Sequence, residues 1–375
     1  MAEAHVALRR ARLIALATAS AVCGGMLLHA VLVGTRARGA GPPFADALAF
    51  PLPALDRLSP ARILWVPLVL AAVAAVLYAV ITGTRRGVPP QGAGYAVFLL
   101  GWAGATFAAA VAALPFHAAS APYWPGPDLA ASGLGRLFWV HVPVAVAWGL
   151  LAGWIGGLAA AIAYRRTAPA RAPGPGTART VTPAAGRGSV PGAGAGAPRG
   201  TGRAWPAAGG AGGILGLIIL AGGLFAFVEQ SRGGPAILEF LTFPNPLSAN
   251  WGLPPSTRRP SWAGLLDPLA LVLLAVTSAG LLTLILSPAL RRLRNRRGAV
   301  FLITWGCAVL VTGLAGLMRG LAIRVAERFG EEVLVVPGFP DLADGAVHGL
   351  LYGWLAAAAA AFLWTRRRPP GAHAP

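Results

Sequence analysis

Apolar positions along the chain gather into eight long runs, at residues 13–33, 63–81, 94–114, 137–164, 213–228, 265–286, 299–317 and 346–364. At about 1.5 Å per helical residue, runs of this length approach or cross a hydrocarbon layer of roughly 30 Å. The run ending at 228 is the shortest, and Gly209 and Gly210 before it allow one more turn. Lipid offers backbone N–H and C=O groups no partner, so such runs predict helices. The expected fold class is all-α, a polytopic integral membrane protein with eight transmembrane helices.

The polar stretches between the runs set the organisation. Residues 165–210 hold seven Pro, eleven Gly and seven Arg, no acidic residue, and no aromatic before Trp205. Such a stretch buries too little apolar surface to offset its ordering entropy, which predicts a disordered cationic linker. The expected domains are a first four-helix unit (1–164), this linker (165–210), a second four-helix unit (211–368) and a short disordered tail (369–375).

Composition agrees with a membrane class. Hydrophobic residues make up 56% of the chain and charged ones 11%, at a mean hydropathy of +0.65, outside the range of soluble domains. The net charge of +19 therefore reads as membrane topology, and no nucleic-acid partner is expected. Cys23 and Cys307 both fall inside apolar runs, so no disulfide framework is predicted. Arg9, Arg10 and Arg12 before a 21-residue run resemble the start of a secretory signal, but the run is too long and its end lacks a small-residue cleavage site.

Charge fixes the expected orientation. With a cytoplasmic N-terminus, twenty of the 31 Arg fall in inside segments and eleven in outside ones, while every acidic residue except Glu3 falls outside. The positive-inside rule then predicts both termini in the cytoplasm, for a multi-pass protein of the plasma membrane. Anionic lipids are the expected partners of the basic cytoplasmic face.

The two units carry matching signatures in the same order. Gly24-Gly25 matches Gly222-Gly223, and Phe50-Pro51-Leu52-Pro53 matches Phe243-Pro244-Asn245-Pro246. Val66-Pro67-Leu68 matches Asp267-Pro268-Leu269, Phe98 to Trp102 matches Phe301 to Trp305, and Val140-His141 matches Val347-His348. The pattern predicts two parallel four-helix repeats about an axis along the membrane normal, with any shared site between them. The glycine pairs are expected where helix backbones approach closely.

Polar groups at membrane depth are costly unless paired or wet, so they are the best site candidates. His29, His141, His348, Glu229, Asp267 and Arg319 all fall in the outer half. If one site exists, it is expected to comprise His141 and His348 at similar depth, with Glu229, Asp267 and Arg319 nearby as a substrate or ion pathway. Interfacial placement is the competing reading for each of them, and Asp267 before Pro268 is also a helix cap. Asp344 and His348, four apart, form either an acid/base pair or a cap followed by an interfacial imidazole. Cys23, Met26 and His29 are donors that Cu(I) accepts, but their spacing turns about 240° around a helix, so one helix cannot converge them. His141 and His348 across the axis offer a metal, haem or proton site, with no third ligand in place.

Phosphate-loop, zinc-protease, nucleophile-elbow and Cys-x-x-Cys signatures are absent. A permease-like or channel-like protein is therefore the favoured class, the substrate and any cofactor being unspecified. Two alternatives remain. One is a membrane-embedded enzyme on lipid-linked substrate at the outer leaflet, for which Asp46, Asp56 and Asp128 are available. The other is a non-catalytic membrane scaffold, or a copper- or haem-binding membrane protein.

Overall fold

The computed structural model describes residues 2–36, 65–84, 88–89, 92–120, 141–168, 201–232, 263–293, 297–327 and 339–366. Among these residues are eight α-helices and no strand: α1 (Ala2–Arg36), α2 (Trp65–Thr84), α3 (Gly94–Ser120), α4 (Val142–Arg166), α5 (Thr201–Arg232), α6 (Ala263–Arg291), α7 (Arg297–Glu327) and α8 (Phe339–Arg366). All eight contain a span long and apolar enough to cross a membrane. Their outward faces carry Leu28, Leu217, Leu273, Val276, Leu284 and Met318, each more than half exposed, an apolar surface that water does not tolerate but lipid does. The fold is consistent with a multi-pass membrane protein.

One boundary differs from the sequence reading. Helix α5 starts at Thr201, inside the stretch expected to be a disordered linker to residue 210. Ala204, Ala207, Ala208 and Ala211 recur at helical spacing and are fully buried, so this glycine-rich segment gains close packing through small side chains rather than large ones. Residues 169–200 and 367–375, the remainder of the expected linker and the tail, lie outside the described residues.

Each set of four helices closes a ring. In the first, α1 meets α2 and α4, and α3 meets α2 and α4; in the second, α5 meets α6 and α8, and α7 meets α6 and α8. The rings join where α3 lies on α7 and α4 on α8. Contacts between helix termini show how the chain runs. Arg10 near the start of α1 bonds the Tyr164 carbonyl at the end of α4 (2.9 Å), and Thr283 near the end of α6 bonds the Ala208 carbonyl near the start of α5 (3.3 Å). Starts of odd helices and ends of even ones thus share one end of the bundle, which carries Arg10, Arg165, Arg166, Arg291, Arg292, Arg297 and Arg366. We call it the arginine end; His141, Asp341 and Asp344 lie toward the other.

The closest pairs are α3 with α4 and α7 with α8, and glycine sets their approach. Gly149, Gly153 and Gly157 stand at i, i+4 and i+8 of α4, and Gly345, Gly349 and Gly353 stand likewise on α8. A Cβ on Gly149 would lie 2.7 Å from the Thr106 Cα, one on Gly157 2.7 Å from the Phe98 carbonyl oxygen, and one on Gly349 2.6 Å from the Val309 Cα. With no hydrophobic drive between helices in lipid, dispersion contacts at this range hold the pairs. Two indoles add a polar tie: Trp102 Nε1 donates to the Leu150 carbonyl and Trp305 Nε1 to that of Leu350, both at 3.0 Å. Gly24 and Gly25, expected at a close approach, instead face open space, with nothing within 4 Å of an added Cβ; of the matched pair, Gly223 does meet α6, at Leu271.

Gly149→Ala and Gly349→Ala are expected to lower thermal stability in detergent, each by about 1–3 kcal/mol of overpacking. Gly25→Ala and Gly213→Ala, which have nothing within 4 Å of the new methyl, should leave stability unchanged or raise it by about 0.5–1 kcal/mol. Equal effects at all four positions would contradict the glycine-line account.

Candidate functional site

The seam between the rings is built around one crossing. A Cβ on Gly306 of α7 would collide with Ala103 of α3, so these two residues mark the closest approach of the rings. Residues 103 and 306 are separated by 203 positions, as are Trp102 and Trp305, which make the matching indole bonds. Next to the crossing, Phe107 packs on Trp305 with ring centroids 4.6 Å apart. The reciprocal partners, Leu310 and Trp102, instead line a small void of about 10 Å³, together with Thr106, Leu150 and Cys307. Leucine at 310 is smaller than phenylalanine at 107, and the difference is left as empty space.

The chemistry around this void is modest. Its volume is at the lower limit for one water molecule. The Thr106 hydroxyl donates to the Trp102 carbonyl at 3.1 Å and keeps lone pairs for a second donor, and the Cys307 thiol is the other polar lining group. The remaining lining is apolar, so the void is not a solute-sized site.

The sequence-derived site residues fall apart into three groups. His141 and His348 are both 5% exposed, on α4 and α8, which pack on each other across the seam. Counted from the matching carbonyls of Leu150 and Leu350, however, His141 lies nine residues toward the far end and His348 only two. At 1.5 Å per residue His348 is about 10 Å deeper, so the equivalence expected for the pair is two helical turns out of register. The His348 ring packs on Tyr352 of the next turn, centroids 4.7 Å apart. His141 takes instead the register of Asp341, whose carboxylate lies against Gly320 of α7.

Glu229, Asp267 and Arg319 lie in α5, α6 and α7, but their side chains are outside the described residues, as is that of His29. Cys23 points its thiol at the Leu70 carbonyl of α2, 3.7 Å away, and Met26 is fully buried among the apolar side chains of the first ring. Among the described residues, no group of three or more His, Cys, Asp or Glu side chains is placed to hold a metal. Asp46, Asp56 and Asp128 are outside the described residues.

One recurring segment was missed by the pairing of motifs. Gly149-Leu-Leu-Ala-Gly-Trp154 recurs as Gly349-Leu-Leu-Tyr-Gly-Trp354. Aligning this hexapeptide, rather than the two histidines, pairs Leu150 with Leu350, the two acceptors of the indole bonds. Comparison of the chain with protein-family models, with curated proteins and with solved structures finds no match.

Two outcomes follow. In bilayers, spin labels at His141→Cys and His348→Cys, made in a Cys23→Ala/Cys307→Ala background, should report depths differing by about 10 Å, with position 348 the deeper; equal depths would restore the histidine register. Phe107→Leu should open a second void and lose about 1 kcal/mol or more, while Leu310→Phe should fill the existing one without that loss.

Proposed function

We propose that the chain is an internally duplicated, permease-like protein of the plasma membrane, whose two parallel four-helix repeats part along their seam to pass a solute. The observation that carries the reading is the crossing of α3 and α7 at Ala103 and Gly306. Two units related by a two-fold axis touch on the axis through equivalent residues, and these two are equivalent. Supporting it are the paired rings, the paired indole bonds, and matched lipid-facing positions: Trp154 and Trp354 are 47% and 46% exposed, Ile155 and Leu355 36% and 37%. Parallel repeats of this kind carry substrate at the interface between halves.

In this reading the arginine end is cytoplasmic, together with both termini, and anionic lipids lie against it. The pathway we propose for the outer half takes His141 and His348 together with Glu229, Asp267 and Arg319, which belong to α5, α6 and α7. Buried imidazoles inside apolar helices are the polar groups that mark such a pathway. On the duplication reading these positions have diverged: with Leu150 aligned to Leu350, His348 stands where the first unit has Trp148, and Asp341 where it has His141. The second reading, a membrane scaffold, is favoured by the tightness of the seam, whose void near the crossing holds one water at most.

Accessibility separates the two. In intact cells, with Cys23→Ala and Cys307→Ala as background, a cysteine at position 348 should react with an impermeant thiol reagent added outside, more slowly than a surface cysteine. A permease must expose this buried position from time to time. No modification after prolonged exposure would favour the scaffold, and reaction only after the cytoplasmic side is made accessible would reverse the orientation.

A further inference from the structure

We propose that the arginine end holds a phosphate-group site at the start of α3, shared by the two rings and occupied by the headgroup of an anionic phospholipid. Arg292, just past the end of α6, puts its Nη1 3.7 Å from where a Cβ on Gly92 would lie, and Arg165, in the last turn of α4, puts its Nε 3.8 Å from the same point on Gly94. One guanidinium comes from each ring. They converge on three consecutive residues, the last of which opens α3, where first-turn N–H groups have no acceptor within the helix. Both arginines are exposed.

The segment they converge on is fixed in place. Gly92 takes a left-handed φ of +77°, which glycine adopts without strain, and turns the chain into α3. The Tyr164 hydroxyl accepts from the Ala93 N–H at 3.1 Å and donates to the Pro89 carbonyl at 2.7 Å, clamping both sides of the turn to α4. Arg10 of α1 stacks over the Tyr164 ring at 4.4 Å and donates to the Thr167 hydroxyl at 3.0 Å, bracing the clamp. These bonds hold Pro89 and Ala93 against the end of α4.

The charge at this locality suits an anion. Two guanidiniums and the positive end of a helix share one locality, and like charges so placed repel unless neutralised. Among the described side chains the only carboxylates are Asp341 and Asp344, both near the opposite end of the bundle. Phosphate oxygens suit the donors, since guanidinium forks pair with them bidentately. Depth selects the source. Gly94 and Arg166 are the limits of two predicted spans and Arg291 of a third, so the site lies at the level of lipid headgroups. A phosphodiester bound there would tie the end of α6 to the end of α4, fastening the two rings at this face.

The inference rests on the bilayer reading but not on what crosses the seam. The full chain, reconstituted in nanodiscs of phosphatidylcholine with or without phosphatidylglycerol, provides the test. Phosphatidylglycerol should raise the apparent unfolding temperature by about 3 °C, and native mass spectrometry should show the lipid retained. Arg165→Gln/Arg292→Gln should weaken that retention by more than about tenfold and abolish the shift, whereas Arg9→Gln/Arg366→Gln, exposed arginines of the same face, should keep both. If glycerol phosphate in pure phosphatidylcholine discs gives the same shift, dependent on Arg165 and Arg292, the phosphate site stands and the lipid source is overturned. Equal losses in the two double variants, or retention unchanged by Arg165→Gln/Arg292→Gln, would overturn the site. Failure of the wild-type chain to enter discs at all would refute the bilayer reading instead.

Discussion

Helices in lipid gain nothing by hiding apolar side chains from one another, because the acyl chains are equally apolar, and so close backbone approach has to hold the bundle. In this protein the glycine lines on α4 and α8 meet that requirement. They seat α4 on α3 and α8 on α7, which lets each indole of the tryptophan pair reach a helix carbonyl and turns each pair into a stiff unit. The rings close around these pairs, and the same two pairs supply the contacts between rings. Removing the glycine approach would loosen the rings and the seam together.

Much of this was legible in the sequence because hydropathy reports length and depth directly. The eight runs became eight helices, and Arg10, Arg165, Arg166, Arg291, Arg292, Arg297 and Arg366 gathered at one end. The start of α5 was not legible from composition. Glycine- and proline-rich chain near an apolar run reads as linker, yet Ala204, Ala207, Ala208 and Ala211 find a tertiary surface that accepts only small residues. Propensity described the segment alone, and packing decided it.

The candidate histidines stood out by residue type, whereas the register of the helix pairs did not. Histidine is rare enough in such a chain that two of them, each near the start of an even-numbered apolar run, invite pairing. The backbone is governed instead by the glycine and tryptophan positions, which are less conspicuous in a chain with 50 glycines. Gly24 and Gly25 teach the same lesson from the other side: adjacent glycines cannot both face one neighbour, since successive residues turn by about 100°, whereas glycines four apart share a face.

On the duplication reading, the void beside Trp102 would have an evolutionary meaning. In a dimer of identical four-helix chains, every residue on one side of the axis has a copy on the other, so a phenylalanine filling one pocket fills both and a leucine vacates both. Phe107 on one side and Leu310 on the other are open only to a chain in which the two copies have been joined and inherit separately. On the duplication reading, this mismatch marks the seam as having left strict symmetry at its centre, where each side of the axis is free to specialise.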